Sequence, residues 1–227
     1  MSVWVTRSEP GASRQGRALR DAGYEVLVAP VLKIEATAAR EPVAGFNVVL
    51  FLSEQAVRFG GSLAYCQGAR VYAVGRRTAA ALVERGVTAT VPAEASSEGL
   101  LLELEAVTLA GVRVLIVAGE GGRDLLESSL LTAGARVDLY HCYRRKPVST
   151  RPENLDAVSE ILIASQDGFR TVARLWFSGD GATDVKVIAA SDRIARLGAE
   201  LGFSNVHTAA GAAEADWLSA LAATRND

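Results

Sequence analysis

Two stretches of this chain repeat one pattern: an apolar run, a small-residue turn, then the start of a helix. Val49-Leu50-Phe51-Leu52-Ser53-Glu54-Gln55-Ala56-Val57 resembles Ile161-Leu162-Ile163-Ala164-Ser165-Gln166-Asp167-Gly168-Phe169, and the two serines lie 112 residues apart. Further on, Ala73-Val74-Gly75-Arg76-Arg77-Thr78-Ala79 echoes Ala189-Ala190-Ser191-Asp192-Arg193-Ile194-Ala195, offset by 116 residues. That spacing is too long for a solenoid repeat and is the size of a small domain. The expectation is two similar α/β domains, with the cleft between them as the place for a ligand.

Short apolar runs alternate with segments of helical period, which predicts largely parallel sheets. Strands are predicted at 3–6, 25–29, 47–52, 70–74, 89–91, 112–118, 135–140, 160–164, 185–190 and 205–208. Helices are predicted at 11–22, 53–64, 76–85, 97–109, 123–133, 166–177, 192–201 and 212–223. Two extended runs break the alternation, Val28 to Glu35 and Leu139 to Pro147. They read as two crossings between domains, paired as an antiparallel ribbon. One lobe is then 1–30 plus 148–227, the other is 36–140, and the linkers are 31–35 and 141–147. The simpler alternative is two sequential domains cut near Pro147.

Bulk properties exclude several functions. The net charge is −2 with both signs spread along the 227 residues, so no basic face for nucleic acid stands out. No apolar run is long enough for a membrane span. The start, Val3-Trp4-Val5-Thr6, has no charged leader, and Cys66 and Cys142 are the only cysteines; a cytoplasmic protein with reduced thiols is expected. With only His141 and His207 as histidines, a histidine-built metal site is not expected. No cofactor is expected either.

Candidate chemistry gathers where strands end and helices begin, the ligand-binding edge of open α/β sheets. Gly119-Glu120-Gly121-Gly122-Arg123-Asp124 reads either as an anion cradle of backbone N–H groups or as a tight turn needing glycine geometry. Asp138, 19 residues after Gly119, also allows a dinucleotide reading, which Asp124 weakens by standing where a third glycine belongs. Ser53 and Ser165 are either ligand contacts or plain helix N-caps. Thr78, Ser96 and Ser97 lie at helix starts. Arg7 follows the first strand and either binds a carboxylate or is a solvated cation. Tyr143, in the second extended run, either donates a proton or packs its ring. Arg144, Arg145 and Lys146 beside it read as a solvated strand edge.

Taken in order, these residues resemble the uroporphyrinogen-III synthase family over nearly the whole chain. Thr6-Arg7-Ser8 stands for its Thr-Arg-Pro. Phe51-Leu52-Ser53-Glu54-Gln55-Ala56-Val57 stands for its Phe-Thr-Ser-x-Asn-Ala-Val. The Ala-Val-Gly-x-x-Thr-Ala motif is intact at 73–79 and Ala-Ser-Ser-Glu-Gly-Leu at 95–100. Val-Leu-Ile-Val-Arg-Gly-Glu-Gly-Gly-Arg appears at 114–123 with Ala118 in place of arginine, and Cys142-Tyr143-Arg144-Arg145 matches the Val-Tyr-x-Arg linker. Ile194 stands where many members have threonine, so no threonine role carries over there.

The resemblance implies two flavodoxin-like lobes with parallel sheets, joined by a two-stranded antiparallel linker. It implies a cyclising hydro-lyase acting on a linear tetrapyrrole, hydroxymethylbilane, as a monomer that receives its substrate from hydroxymethylbilane synthase. Tyr143 would be the catalytic acid; alternatively no side chain is essential, and bound substrate carboxylates or water supply the proton. Arg7, Ser53, Thr78, Ser97, Gly119, Gly121, Gly122, Arg123, Ser165 and Arg193 would bind substrate. Two readings from other classes stand beside it: a dinucleotide-dependent reductase using the 119–124 turn, and a non-catalytic two-lobe anion binder.

Overall fold

The computed structural model describes residues 2–105, 108–121 and 125–223. Along them run β1 (Ser2–Val5), α1 (Gly11–Asp21), β2 (Glu25–Val28), β3 (Leu32–Ala36), β4 (Val48–Phe51), α2 (Glu54–Phe59), β5 (Arg70–Ala73), α3 (Arg76–Val83), α4 (Ser97–Glu105), β6 (Arg113–Gly119), α5 (Leu125–Thr132), β7 (Arg136–Pro147), β8 (Val158–Ile163), α6 (Gln166–Phe177), β9 (Lys186–Ala189), α7 (Asp192–Glu200), β10 (Val206–Thr208) and α8 (Glu214–Ala223). The fold is α/β with parallel sheets. The chain divides into two compact units, Met1–Lys33 with Lys146–Asp227, and Ile34–Arg145.

In the first unit the sheet order is β10-β9-β8-β1-β2, with parallel pairing at each step. This is the doubly wound 2-1-3-4-5 order, with its switch point between β1 and β8. Strand residues alternate between the two faces. Trp4, Ile161, Ile163 and Val187 pack with Phe169, Val172, Ile194 and Leu197 from α6 and α7. Val3, Val5, Leu162 and Ile188 pack with Ala12, Leu19, Trp217 and Leu221 from α1 and α8. Each large apolar side chain so buried contributes about 1.5–3 kcal/mol.

The second unit has the order β3-β7-β6-β4-β5. One face packs Val49, Phe51, Leu115 and Val117 against Ala56, Val57 and Leu82. The other packs Val48, Leu50, Val114 and Ile116 against Leu100, Leu104, Leu126 and Leu130. A single parallel bridge joins Thr90 to Tyr72 beyond β5. Counting that bridge as a strand, the parallel part is a circular permutation of the first unit. Then β4, β5, Thr90, β6 and β7 occupy the places of β8, β9, β10, β1 and β2. Ser53 and Ser165 therefore stand at equivalent positions, which is the physical content of the repeat.

The elements differ from expectation at a few points. The strand expected at 89–91 is only the Thr90 bridge, because Pro92 brings no N–H to extend a ladder. The helix expected over 53–64 stops at Phe59, where Gly60 and Gly61 follow and Gly61 takes φ 74°. The strand expected at 135–140 runs on as β7 to Pro147. Beside it lies β3, with Thr37 N–H donating to Cys142 O at 3.2 Å and Val148 N–H to Val31 O at 2.9 Å. One partner number rises as the other falls, which is the antiparallel sense. Among the described residues no helix is long and apolar enough to cross a membrane.

Candidate functional site at the strand carboxyl ends

In the second unit the switch point lies between β4 and β6. The chain leaves β4 through Ser53, whose extended backbone lets its Oγ accept the Ala56 N–H at 3.0 Å and cap α2. It leaves β6 at Gly119. The pairing of β6 with β7 shifts there, from Ala118 opposite His141 to Gly119 opposite Tyr143. This bulge breaks the strand alternation, so that Cys142 and Tyr143, though adjacent, both join the same core cluster. The Tyr143 ring lies over Gly119, where a Cβ would stand only 2.5 Å from two ring carbons. The Glu120 N–H donates to Tyr143 O at 2.8 Å.

Tyr143 is 2% exposed, yet its Oη has two polar partners. Ser53 Oγ lies 3.0 Å away, either atom donating, and Arg145 Nη2 donates at 3.1 Å. The Arg145 guanidinium also lies 5.4 Å from the ring centroid, and Phe59 flanks the ring at 6.1 Å. Ser53, Gly119 and Tyr143, far apart in sequence, therefore form one constellation. Behind them, burial pushes the Cys142 thiol up to about 11, and it donates to Ala56 O and Ala118 O at 3.6 Å. Burial also raises Cys66 to about 11, against a smaller opposing effect of Arg85. Tyr65 is held well above its ordinary range, first by burial and then by the neighbouring thiols.

The other expected residues of this unit lie along the same sheet edge. Thr78 is buried in the first turn of α3, after β5. Ser97 opens α4, but the cap is Ser96, whose Oγ accepts the Gly99 N–H at 2.9 Å. Gly121 takes φ 76°, a left-handed conformation that favours glycine. Gly122 and Arg123 lie outside the described residues, as does Asp124.

In the first unit, Arg7, Ser165 and Arg193 follow three neighbouring strands, β1, β8 and β9. Ser165 Oγ accepts the Gly168 N–H at 3.1 Å and caps α6. Arg193 Nη1 donates to Gln166 Oε1 at 3.1 Å, tying the starts of α6 and α7 together. Arg7 donates to Ala212 O at 3.3 Å and lies over Gly11, where a Cβ would come within 2.6 Å of its Nε.

The dinucleotide reading fails on Asp138. Its carboxylate pairs at 2.8 Å with Arg113, the first residue of β6, and so belongs to the amino edge of the sheet. A ribose-binding acid is needed at the opposite edge. Among the described residues no group of three His, Cys, Asp or Glu could hold a metal ion. Sequence reasoning missed Arg145, which it placed in a solvated basic run. The signal was present: on a strand, residues two apart share a face, so Arg145 follows Tyr143 while Arg144 points away to Glu35 at 3.6 Å.

The pattern of the family described as uroporphyrinogen-III synthase HemD matches residues 13–219. The chain is similar to the uroporphyrinogen-III synthase of Salmonella typhimurium, 29% identical over 235 residues that cover 92% of this chain and 95% of that protein. It is 27% identical to the Escherichia coli enzyme of the same name over 233 residues, with coverage of 92% and 95%. Among solved structures, uroporphyrinogen-III synthetase from Helicobacter pylori gives a TM-score of 0.68 at 17% identity, covering 99% of both chains. A mutant uroporphyrinogen III synthase from Thermus thermophilus gives 0.59 at 18% identity, covering 100% of both. These two are likenesses of fold. The match from 13 to 219, on a sheet topology shared with solved members, establishes that the chain belongs to the uroporphyrinogen-III synthase family.

Proposed function

We propose that this chain closes hydroxymethylbilane into uroporphyrinogen III, inverting the last pyrrole ring and releasing water. The family match over residues 13–219 carries this reading. The reaction asks for orientation more than for activation. Loss of the terminal hydroxyl, assisted by the pyrrole nitrogen, leaves an azafulvene-like carbon. Attack by the substituted position of the last ring gives a spiro intermediate and then the inverted product. Left in water, the chain closes without inversion. The protein therefore has to hold the bilane in the inverting geometry.

The substrate carries eight carboxylates, and the groups at the strand carboxyl ends suit them. Backbone N–H groups at helix starts can donate to anions, and Arg7, Arg123 and Arg193 are cations. In this reading Ser53, Thr78, Ser97, Gly119, Gly121, Gly122 and Ser165 bind substrate through their backbone or hydroxyl groups. Tyr143 gives its phenolic proton to the departing hydroxyl. The contact with Arg145 supports that role: Oη accepts from Arg145, and when Ser53 donates as well, the phenol proton is left for a third partner. The chain works without cofactor as a cytoplasmic monomer supplied by hydroxymethylbilane synthase.

The test is product analysis. Purified protein is given hydroxymethylbilane, the products are oxidised to porphyrins, and the isomers are separated. Type III in excess over the spontaneous type I isomer is the expected result. Only type I would refute the proposal.

A further inference from the structure

Arg145 has a combination that the other arginines of the site lack. Its Nη2 donates to the Tyr143 phenol, and among the described residues no carboxylate lies within ion-pair distance of it. Arg144 next to it faces Glu35, and Lys146 also has a partner. Three groups are linked by hydrogen bonds: half-buried Ser53 at the N-cap of α2, buried Tyr143, and exposed Arg145. A guanidinium has five N–H donors in a rigid planar fork. One holds the phenol, which leaves a fork edge suited to a carboxylate.

We infer that Arg145 is a substrate-binding and positioning residue, holding the Tyr143 phenol with one N–H while its remaining donors take a carboxylate of the tetrapyrrole. The inference rests on the proposed function. Its consequence is that the anchor and the phenol form one unit. A carboxylate seated on Arg145 fixes how far the adjoining ring lies from Tyr143 Oη, so affinity and isomer outcome are set together. The alternative is a surface cation that only stacks on the ring at 5.4 Å, an arrangement with no need of an anion.

The experiment compares Arg145→Gln, Arg145→Lys and Arg144→Gln with the unmodified protein in steady-state assays with hydroxymethylbilane, at low and moderate ionic strength, with isomer analysis. Arg144→Gln makes the same change in net charge on the opposite face and serves as the control for general attraction. Expected for Arg145→Gln is a KM raised about tenfold, the size of one lost charge-assisted contact. Its KM should respond less to salt, and a larger share of its product should be type I. Arg145→Lys restores the charge but not the fork, so its salt response should return while the isomer share stays altered. Arg144→Gln should match the unmodified protein.

Unchanged KM and isomer share in Arg145→Gln overturns the inference, and so do equal effects in Arg144→Gln. If Arg145→Gln does not fold, unchanged KM and isomer share in Arg145→Lys overturns it instead. Absence of type III product from the unmodified protein refutes the proposed function itself, a result separate from these.

Discussion

At the scale of the residue, the candidate site depends on the absence of a side chain at Gly119. The Tyr143 ring occupies the space where one would stand. Gly119→Ala should therefore displace the ring, cost about 1–3 kcal/mol in urea unfolding, and lower the share of type III product. A variant with normal stability and isomer purity would show that the ring has other room. Tyr143→Phe keeps the ring and loses the hydrogen bonds. It should cost only about 1 kcal/mol of stability. Turnover should fall about 10²–10⁴-fold if the phenol is a general acid, as read from single-turnover rates. Tyr143 was legible because it stands beside the domain crossing. The bulge that turns both it and Cys142 inward was not, since pairing register depends on a partner strand that one segment does not reveal. The buried thiols give a pH prediction. In the unfolded chain they ionise near 9, and in the fold near 11, so between those values the unfolded state alone loses protons. Stability should hold below pH 9 and fall as pH rises towards 11, measured as a thermal midpoint at pH 8 and pH 10.

At the scale of the element, four serines separate capping from binding. Ser53, Ser96 and Ser165 each accept a backbone N–H three residues on, and replacing each by alanine should cost about 0.5–2 kcal/mol in urea unfolding. Ser97 shows no such bond, so Ser97→Ala should be near neutral in stability. Of the three caps, Ser53 alone also touches Tyr143, and Ser53→Ala should change isomer share where Ser96→Ala does not. Isomer analysis of these two variants checks this directly. Helix starts were readable from local chemistry, because a cap is a contact over three residues. The α6 range, 166–177, was read to the residue from its apolar spacing and its serine. The weak 89–91 strand was not, because its apolar character resembles a true strand and only Pro92 limits its pairing. The dinucleotide spacing of Asp138, already weakened by Asp124, fails for another reason: a spacing along the chain does not say which edge of a sheet a side chain occupies.

At the scale of the whole molecule, the chain makes one unit from two separated segments and the other from a single one. The segment 34–145 holds β4 to β6, most of β3 and β7, and both core clusters of the unit. Expressed alone it should unfold cooperatively. The segment 146–227 alone lacks β1, which lies between β8 and β2 in its sheet, and should be largely unstructured by circular dichroism until a 1–33 peptide is added. A folded 146–227 fragment would contradict this. The circular permutation between the units was not legible in the sequence, since the echo reports matching positions but not strand order. The same arrangement imposes a timetable on synthesis. When β2 has left the ribosome, its sheet still lacks β8, whose first residue lies 130 positions further on. At ordinary elongation rates that interval is roughly 7–26 s. During it the nascent N-terminal segment carries apolar β1 and β2 with no sheet to complete, while the stretch between can already fold. The chain is therefore most exposed to chaperones, and to mispairing with its neighbours on a polysome, at its beginning and not at its end.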